Sequence, residues 1–348
     1  MLEEWQRFLA AAGARIEDGT VTGFEEPRTE ARAAAEGDIV ADLSHYALLS
    51  ASGEDTTTFL QGQCTNDLRH VSETHSQLNS ICTPKGRMMA IFRVFQRGEA
   101  YFLRLPHAVA EPVLKHLQKF VLMSKVTLAD ASDRLVGLGV SGPGAPERLR
   151  TAAGAVPEQV DDVVATGAFT VVRVPGLHPR YEVYGEPDAM QALWSRLEGC
   201  VPVGADAWGL LEIKAGVPTV YAETAEAFVP QMANLHLVNG VNFRKGCYTG
   251  QEIVARMQYL GQLKRRMYPA HVETDARPAP GDALFAADSQ SGQGAGKVVD
   301  ARPAPEGGFD LLAVVEIKST EAGELRLGDP GGPVLQLLEP PYDWEKEI

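Results

Sequence analysis

Apolar and polar positions along this 348-residue chain fall into blocks of period two and period 3.6, and the blocks change character along its length. A short amphipathic N-terminal helix leads into two strand-like runs, 39–43 and 46–51, and a helical stretch, 53–61. Residues 76–82, 87–96 and 100–105 are strand-like. Pro84-Lys85-Gly86 and Arg97-Gly98-Glu99 separate them as turn signals, so an antiparallel meander is predicted. Val109, Val113, Leu114, Leu117, Phe120 and Val121 then mark the single apolar face of a helix.

Between 127 and 204 the pattern reads strand 135–140, helix 144–153, strands 169–174 and 180–184, helix 188–198. That order is most of a ferredoxin-like split βαβ unit. A helix at 205–215 follows, and we read the return as the first domain resuming after an inserted one. From 267 short strands alternate with Pro and Gly at 267–273, 282–286, 295–301, 309–317 and 333–338, as in a small antiparallel barrel or sandwich. The fold class is therefore α+β. The expected domains are 1–126 plus 205–266, an inserted ferredoxin-like 127–204, and a C-terminal β-barrel at 267–348.

Composition narrows the function classes. Hydrophobic residues make up 45% and charged residues 22%, ordinary for a folded soluble protein. The 46 acidic against 32 basic residues, a net charge of −14, argue against a general nucleic-acid or anionic-membrane binder. The N-terminus lacks the basic start and apolar stretch of a signal peptide, and no apolar run approaches membrane-spanning length. Four cysteines, with no C-x-x-C pair and no Cys/His cluster at zinc-ligand spacing, fit a reducing compartment, so a cytoplasmic location is expected.

Against that acidic background, residues 239–266 stand out. From Arg244 to Arg266 there are six basic residues (Arg244, Lys245, Arg256, Lys264, Arg265, Arg266) and one acid, Glu252. Thr249 and Glu252 have capping-box spacing, and Ile253, Val254, Met257 and Leu260 continue as an apolar helical face that stops at Gly261. Cys247 is thereby placed just ahead of a helix N-terminus with Lys245 two residues away, and both features favour a thiolate. A lone cysteine is usually a small buried hydrophobe, and that reading suits Cys64, Cys82 and Cys200. The flanking glycines, the lysine and the helix start make Cys247 the candidate functional thiolate. A charge run is usually a solvated face, but one beside such a thiol reads as an anion site. The run Gly292-Gln293-Gly294-Ala295-Gly296-Lys297 fails as a phosphate loop, because Ser291 and Val298 stand where Gly and Ser or Thr belong, and it reads as a hairpin turn.

The block Lys245-Gly246-Cys247-Tyr248-Thr249-Gly250-Gln251-Glu252, with Phe228-Val229-Pro230-Gln231-Met232-Ala233-Asn234-Leu235 upstream, closely resembles the YgfZ family of folate-binding proteins. Phe59-Leu60-Gln61-Gly62-Gln63-Cys64-Thr65-Asn66-Asp67, Thr83-Pro84-Lys85-Gly86-Arg87 and Leu211-Glu212-Ile213-Lys214-Ala215-Gly216-Val217-Pro218 add to the match. That family is related to the T-protein of the glycine cleavage system. The resemblance implies a three-domain ring with tetrahydrofolate or a derivative in a central channel. It also implies a role in assembly or repair of iron–sulfur proteins, with an indirect effect on tRNA modification.

Residue by residue, Glu212 matches the glutamate that contacts the pterin. Lys245, Arg244, Arg256, Arg265 and Gln251 would complete the cofactor site, the cations facing the folate's anionic tail or a negatively charged partner. Cys247 would act as nucleophile or as an iron ligand shared with an iron–sulfur scaffold or client protein, since the chain offers no metal site of its own. Where T-protein carries an Asp pair, this chain has Ala90 and Ile91. Without that general acid/base, a glycine-cleavage aminomethyltransferase is not expected. The alternative from another class is a folate-dependent one-carbon transferase. No membrane partner and no direct nucleic-acid binding are expected.

Overall fold

A computed structural model describes residues 1–289 and 294–344, so Gly292 and Gln293 of the glycine-rich run lie outside the described residues. The chain divides into two compact units. The first comprises Met1–Leu60, Leu68–Gln77 and Phe92–Leu211; the second comprises Gln61–Asp67, Leu78–Ile91 and the chain from Glu212 onward. No helix among the described residues is long and apolar enough to cross a membrane.

The first unit is built on a six-stranded sheet in the order Val163–Thr166, Phe169–Val174, Arg180–Gly185, Val136–Ser141, Ile39–Asp42, Val201–Val203. Only the last pair is parallel. Side-chain alternation sorts its residues onto two covered faces. Val140, Val171 and Val183 pack beneath Trp5, Leu9, Leu149, Met190 and Leu193, which come from the flanking helices. Val172, Val174 and Tyr184 face Phe95, Phe102 and Trp208 on the other side. Gly139 makes room for that tryptophan, since a Cβ there would lie 2.4 Å from its ring.

This sheet departs from the expected domain boundary. Ile39–Asp42, from the N-terminal segment, pairs with Val136–Ser141 and sits inside the sheet of the 127–204 region. The reason is local. Every residue of Ile39-Val40-Ala41-Asp42 is buried, as in a strand covered on both faces. Conversely, Thr127–Asp130 leaves that region and pairs with Tyr46–Ser52. The strand Val163–Thr166 was also not expected. It folds back on Phe169–Val174 through Gly167, whose φ of +59° suits glycine.

The second unit contains a nearly closed six-stranded antiparallel barrel. Its order is Arg326–Leu327, Ala283–Phe285, Gly296–Pro303, Phe309–Glu316, Arg265–Val272, Leu335–Leu337, and a bridge between Arg326 and Val334 almost joins the two edges. Leu311, Ala313 and Val315 fill the barrel, while Leu312 and Val314 point the other way and pack with Met88, Ile213, Phe228 and Leu235. That outer seam fixes the approach segment 228–235 against the barrel.

On the barrel strand Arg265–Val272, His271 lies between two carboxylates, Asp310 at 2.9 Å and Glu273 at 3.1 Å. Asp310 also accepts an ion pair from Lys214 at 2.7 Å. Burial pulls the imidazole pKa down, but hydrogen bonds to Asp310 and Glu273 outweigh it and the net shift is upward from 6.5. A raised folded pKa means stabilisation that is fully present below pH ~6.5 and lost as pH rises through the folded value. Denaturation midpoints measured from pH 5 to 8 should therefore fall for the wild type and flatten for His271→Gln.

Candidate functional site

The 239–266 segment takes its shape from a buried lysine. Lys245 is 6% exposed, and its ammonium donates to the backbone carbonyls of Gln61 at 2.7 Å, Asn66 at 2.9 Å and Cys64. The ammonium also lies 5.0 Å from the centre of the Tyr248 ring. An ammonium has three N–H donors, and here three carbonyls take them. The expectation that Lys245 faces an anionic ligand is therefore corrected: its charge points inward and anchors the loop to 61–67.

The same short segment holds the loop at further points. Thr65 Oγ1 donates to the Gly240 carbonyl at 2.7 Å, Asn66 Nδ2 donates to the Asn239 carbonyl at 2.6 Å, and Asn242 N–H returns to the Thr65 carbonyl at 3.0 Å. Asn79 Oδ1 fixes Asn66 through its backbone N–H at 2.8 Å. Asn66 and Thr65 are the residues that sequence reasoning missed as site builders. Their block was conspicuous, but its partners lie far away in the chain.

Past Lys245 the chain emerges. Gly246 and Cys247 are exposed, and a Cβ on Gly246 would meet nothing within 4 Å. Gln251 Nε2 reaches back to the Lys245 carbonyl at 3.4 Å, closing the loop beneath the thiol. The helix is Gln251–Tyr259, and its N-cap is Gly250 in the left-handed region at φ +84° with no side-chain cap. The capping box expected from Thr249 and Glu252 is thus not formed. Gly250 is pressed against the Thr83–Gly86 turn: a Cβ would fall 2.4 Å from the Thr83 carbonyl oxygen, and only glycine permits that contact. Further along, Gln231 Nε2 donates to the Val254 carbonyl at 2.7 Å, and Asn234, itself at φ +55°, donates to the Met267 carbonyl at 2.7 Å. The Pro230-Gln231-Met232-Ala233-Asn234 run thereby ties the helix to the barrel.

The other expected site residues separate into two groups. Arg244, next to Lys245 in the chain, and Arg256, on the helix Gln251–Tyr259, are exposed. Arg265 opens the first barrel strand, where it pairs with Glu316 at 3.2 Å and donates to the Gly294 carbonyl at 2.7 Å. Glu212, 4% exposed, lies in the last turn of helix Ala205–Lys214. Ala90 and Ile91 are buried, 0% and 4% exposed, so neither position supplies a carboxylate. Among the cysteines, burial pushes the thiols of Cys64 and Cys82 up to about 12 and that of Cys200 to about 11. These three stay protonated near neutral pH, and Cys247 is the exposed one. Among the described residues no three histidine, cysteine or carboxylate side chains gather as a metal-holding group.

This geometry can be set beside known proteins. The family model described as the GCVT N-terminal domain matches residues 21–243, ending just before Arg244. The tRNA-modifying protein YgfZ of Colwellia psychrerythraea is 37% identical over 228 residues, 65% of this chain and 69% of that protein. The protein of the same name in Cronobacter sakazakii is 30% identical over 323 residues, 92% and 98% of the two chains. Among solved structures, the glycine cleavage system aminomethyltransferase T of Bartonella henselae superposes with a TM-score of 0.76 over 96% of this chain and 95% of that one, at 17% identity.

Proposed function

This chain belongs to the YgfZ family, and on that footing we propose that it binds tetrahydrofolate or a derivative and acts in assembly or repair of iron–sulfur proteins. Its effect on tRNA modification would be indirect, through modification enzymes that depend on such clusters. The observation that carries the reading is the division of labour in the Lys245–Gln251 loop. A buried ammonium anchors the loop, and two residues on, a cysteine is left exposed. A thiol so held is poised to meet a partner rather than to pack.

The residues fit a folate in their donor set. Glu212 is a buried carboxylate, and a carboxylate is an acceptor that can take two N–H bonds from an amino-pyrimidine edge. Exposed Arg244 and Arg256 suit the anionic tail, with Gln251 holding their loop in place. When bound, a folate supplies a carrier for one-carbon units. The chain's own part would be to hold it, because the T-protein carboxylate positions are occupied by buried Ala90 and Ile91. A one-carbon transferase would need a proton-handling group there, which weighs against that alternative. Cys247 would offer a nucleophilic sulfur, or one ligand to iron delivered as cargo, the remaining ligands coming from a scaffold or client protein in the cytoplasm.

Two measurements test this. Tetrahydrofolate titrated into the wild-type protein should give saturable binding, and Glu212→Ala should weaken it about ten-fold or more, the loss expected for a buried charge-assisted contact. In cells lacking the protein, Cys247→Ser should fail to restore the activity of [4Fe–4S] enzymes. Full restoration would sink the role given to the thiol; absence of binding at millimolar tetrahydrofolate would sink the folate half.

A further inference from the structure

A groove of about 1070 Å³ opens on the second unit, and neither Cys247, Glu212 nor Lys245 lines it. Its position follows from strand periodicity. Along Phe309–Glu316, Leu312 and Val314 face the outer apolar seam, and Glu316 is the next residue on that face. There the seam ends and the groove begins. Ala227, Phe228 and Met232 contribute an apolar floor, and Leu263 and Ile317 add apolar walls.

The charges around that floor are unequal. Five cations, Arg87, Lys264, Arg265, Lys297 and Lys318, line the groove against two carboxylates, Glu316 and Glu321, in a chain of net charge −14. Three of the five are engaged. Arg265 pairs with Glu316 at 3.2 Å, Lys318 approaches the same carboxylate at 3.9 Å, and Arg87 donates to the Ala227 carbonyl. Lys264 and Lys297 have no carboxylate within ion-pair distance among the described residues. They reach the groove from separate places in the barrel. Lys264 immediately precedes the strand Arg265–Val272, and Lys297 lies on Gly296–Pro303, two strands across.

Two uncompensated ammonium groups over an apolar floor specify a ligand. We propose that this groove is a second binding site, taking an organic anion that carries at least two negative groups on an apolar or aromatic body. Its volume is at the upper end of small-molecule sites, roughly 300–1000 Å³, so it accommodates such a ligand entire. The aromatic or apolar part lies on Phe228 and Met232, and the negative groups bridge Lys264 and Lys297. Arg265, held by Glu316, keeps the groove wall in place rather than supplying a free charge. A nucleotide and a folyl oligoglutamate share this chemistry, and the test separates them.

The experiment is calorimetric titration of the full-length protein with ATP and, separately, with pteroyl-tri-γ-glutamate, at low (~50 mM) and high (~500 mM) salt. At low salt at least one probe should bind. Its Kd should rise about ten-fold in the double variant Lys264→Gln/Lys297→Gln, with a shallower salt dependence. Lys264 is exposed and Lys297 half-buried, and neither ammonium holds a carboxylate among the described residues, so their replacement strands no buried charge. Lys318→Gln, already leaning on Glu316, should have a smaller effect. Binding of ATP alone identifies a nucleotide-type ligand, and binding of the folyl probe alone identifies a folyl chain. Failure of both probes at millimolar concentration, or a Kd unmoved in the double variant, overturns the proposal. The outcome is separable from the Glu212 reading: ATP, which has no pterin, should respond to the lysine pair and not to Glu212→Ala, and loss of folate binding in Glu212→Ala would leave that response in place.

Discussion

A Lys245→Met variant is expected to lose about 3–5 kcal/mol of unfolding free energy, although the replacement is close in length and apolar. Three carbonyls, those of Gln61, Cys64 and Asn66, now share one ammonium. A thioether offers them no donor, and buried acceptors stripped of partners cost more than the hydrogen bonds contributed. Lys245→Arg should not rescue the loss, because a planar guanidinium fork cannot point three donors at three carbonyls set around one nitrogen. Denaturant midpoints of the wild type and both variants measure the effect. Alkylation of Cys247 by iodoacetamide should become faster in both variants as the loop comes free. If Lys245 instead served only to receive an anionic ligand, the midpoints would be unchanged and only ligand affinity would fall.

The inward turn of Lys245 shows where a linear sequence stops being readable. Beside a cysteine and a glycine, a lysine looks like an electrostatic partner for the thiol or a ligand contact, since buried ammonium groups are rare. Its burial depends on carbonyls contributed 184, 181 and 179 residues earlier in the chain. No local periodicity carries that information. The same holds for Thr65 and Asn66. Their block was recognisable as a motif, but its use as a cradle for Asn239, Gly240 and Asn242 exists only once the chain has closed on itself.

Where patterns are local, the elements follow them. Strands expected at 76–82, 87–96 and 100–105 appear as Gln77–Cys82, Met88–Arg97 and Ala100–Pro106, because turn signals and alternation act over a few residues. The α+β class and the C-terminal barrel follow from the same signals. The boundary at 126/127 did not survive, because strand partnership is a long-range choice. Ile39–Asp42 is buried on both faces and finds its place between Val136–Ser141 and Val201–Val203, its paired residues 96 or more positions away in sequence. The hairpin Arg15–Glu17/Thr20–Gly23 was missed although Asp18-Gly19 is a strong turn dipeptide, since strands of three and four residues give too little alternation to register.

Gly250→Ala is the second substitution expected to have a large effect, about 3 kcal/mol, and its size comes from two independent causes. At φ +84° an L side chain costs about 1–2 kcal/mol of backbone strain. A Cβ at this position also falls 2.4 Å from the Thr83 carbonyl oxygen and 2.9 Å from Gly86 Cα, both backbone atoms that no rotamer change can move away. Relieving that overlap costs a further 1–3 kcal/mol, roughly. The helix Gln251–Tyr259 must then separate from the Thr83–Gly86 turn. A separation that starts at the N-cap displaces Gln251, which holds the loop from below, before it reaches Val254. The variant should therefore show faster alkylation of Cys247 by iodoacetamide, measured without folate, as well as lower stability. Gly246→Ala is the matched control. A Cβ there meets nothing within 4 Å, so its denaturation midpoint should stay at the wild-type value. Equal losses in the two variants would mean that the glycines serve only loop flexibility, and the packing of Gly250 on the Thr83–Gly86 turn would then not be what sets the thiol in place.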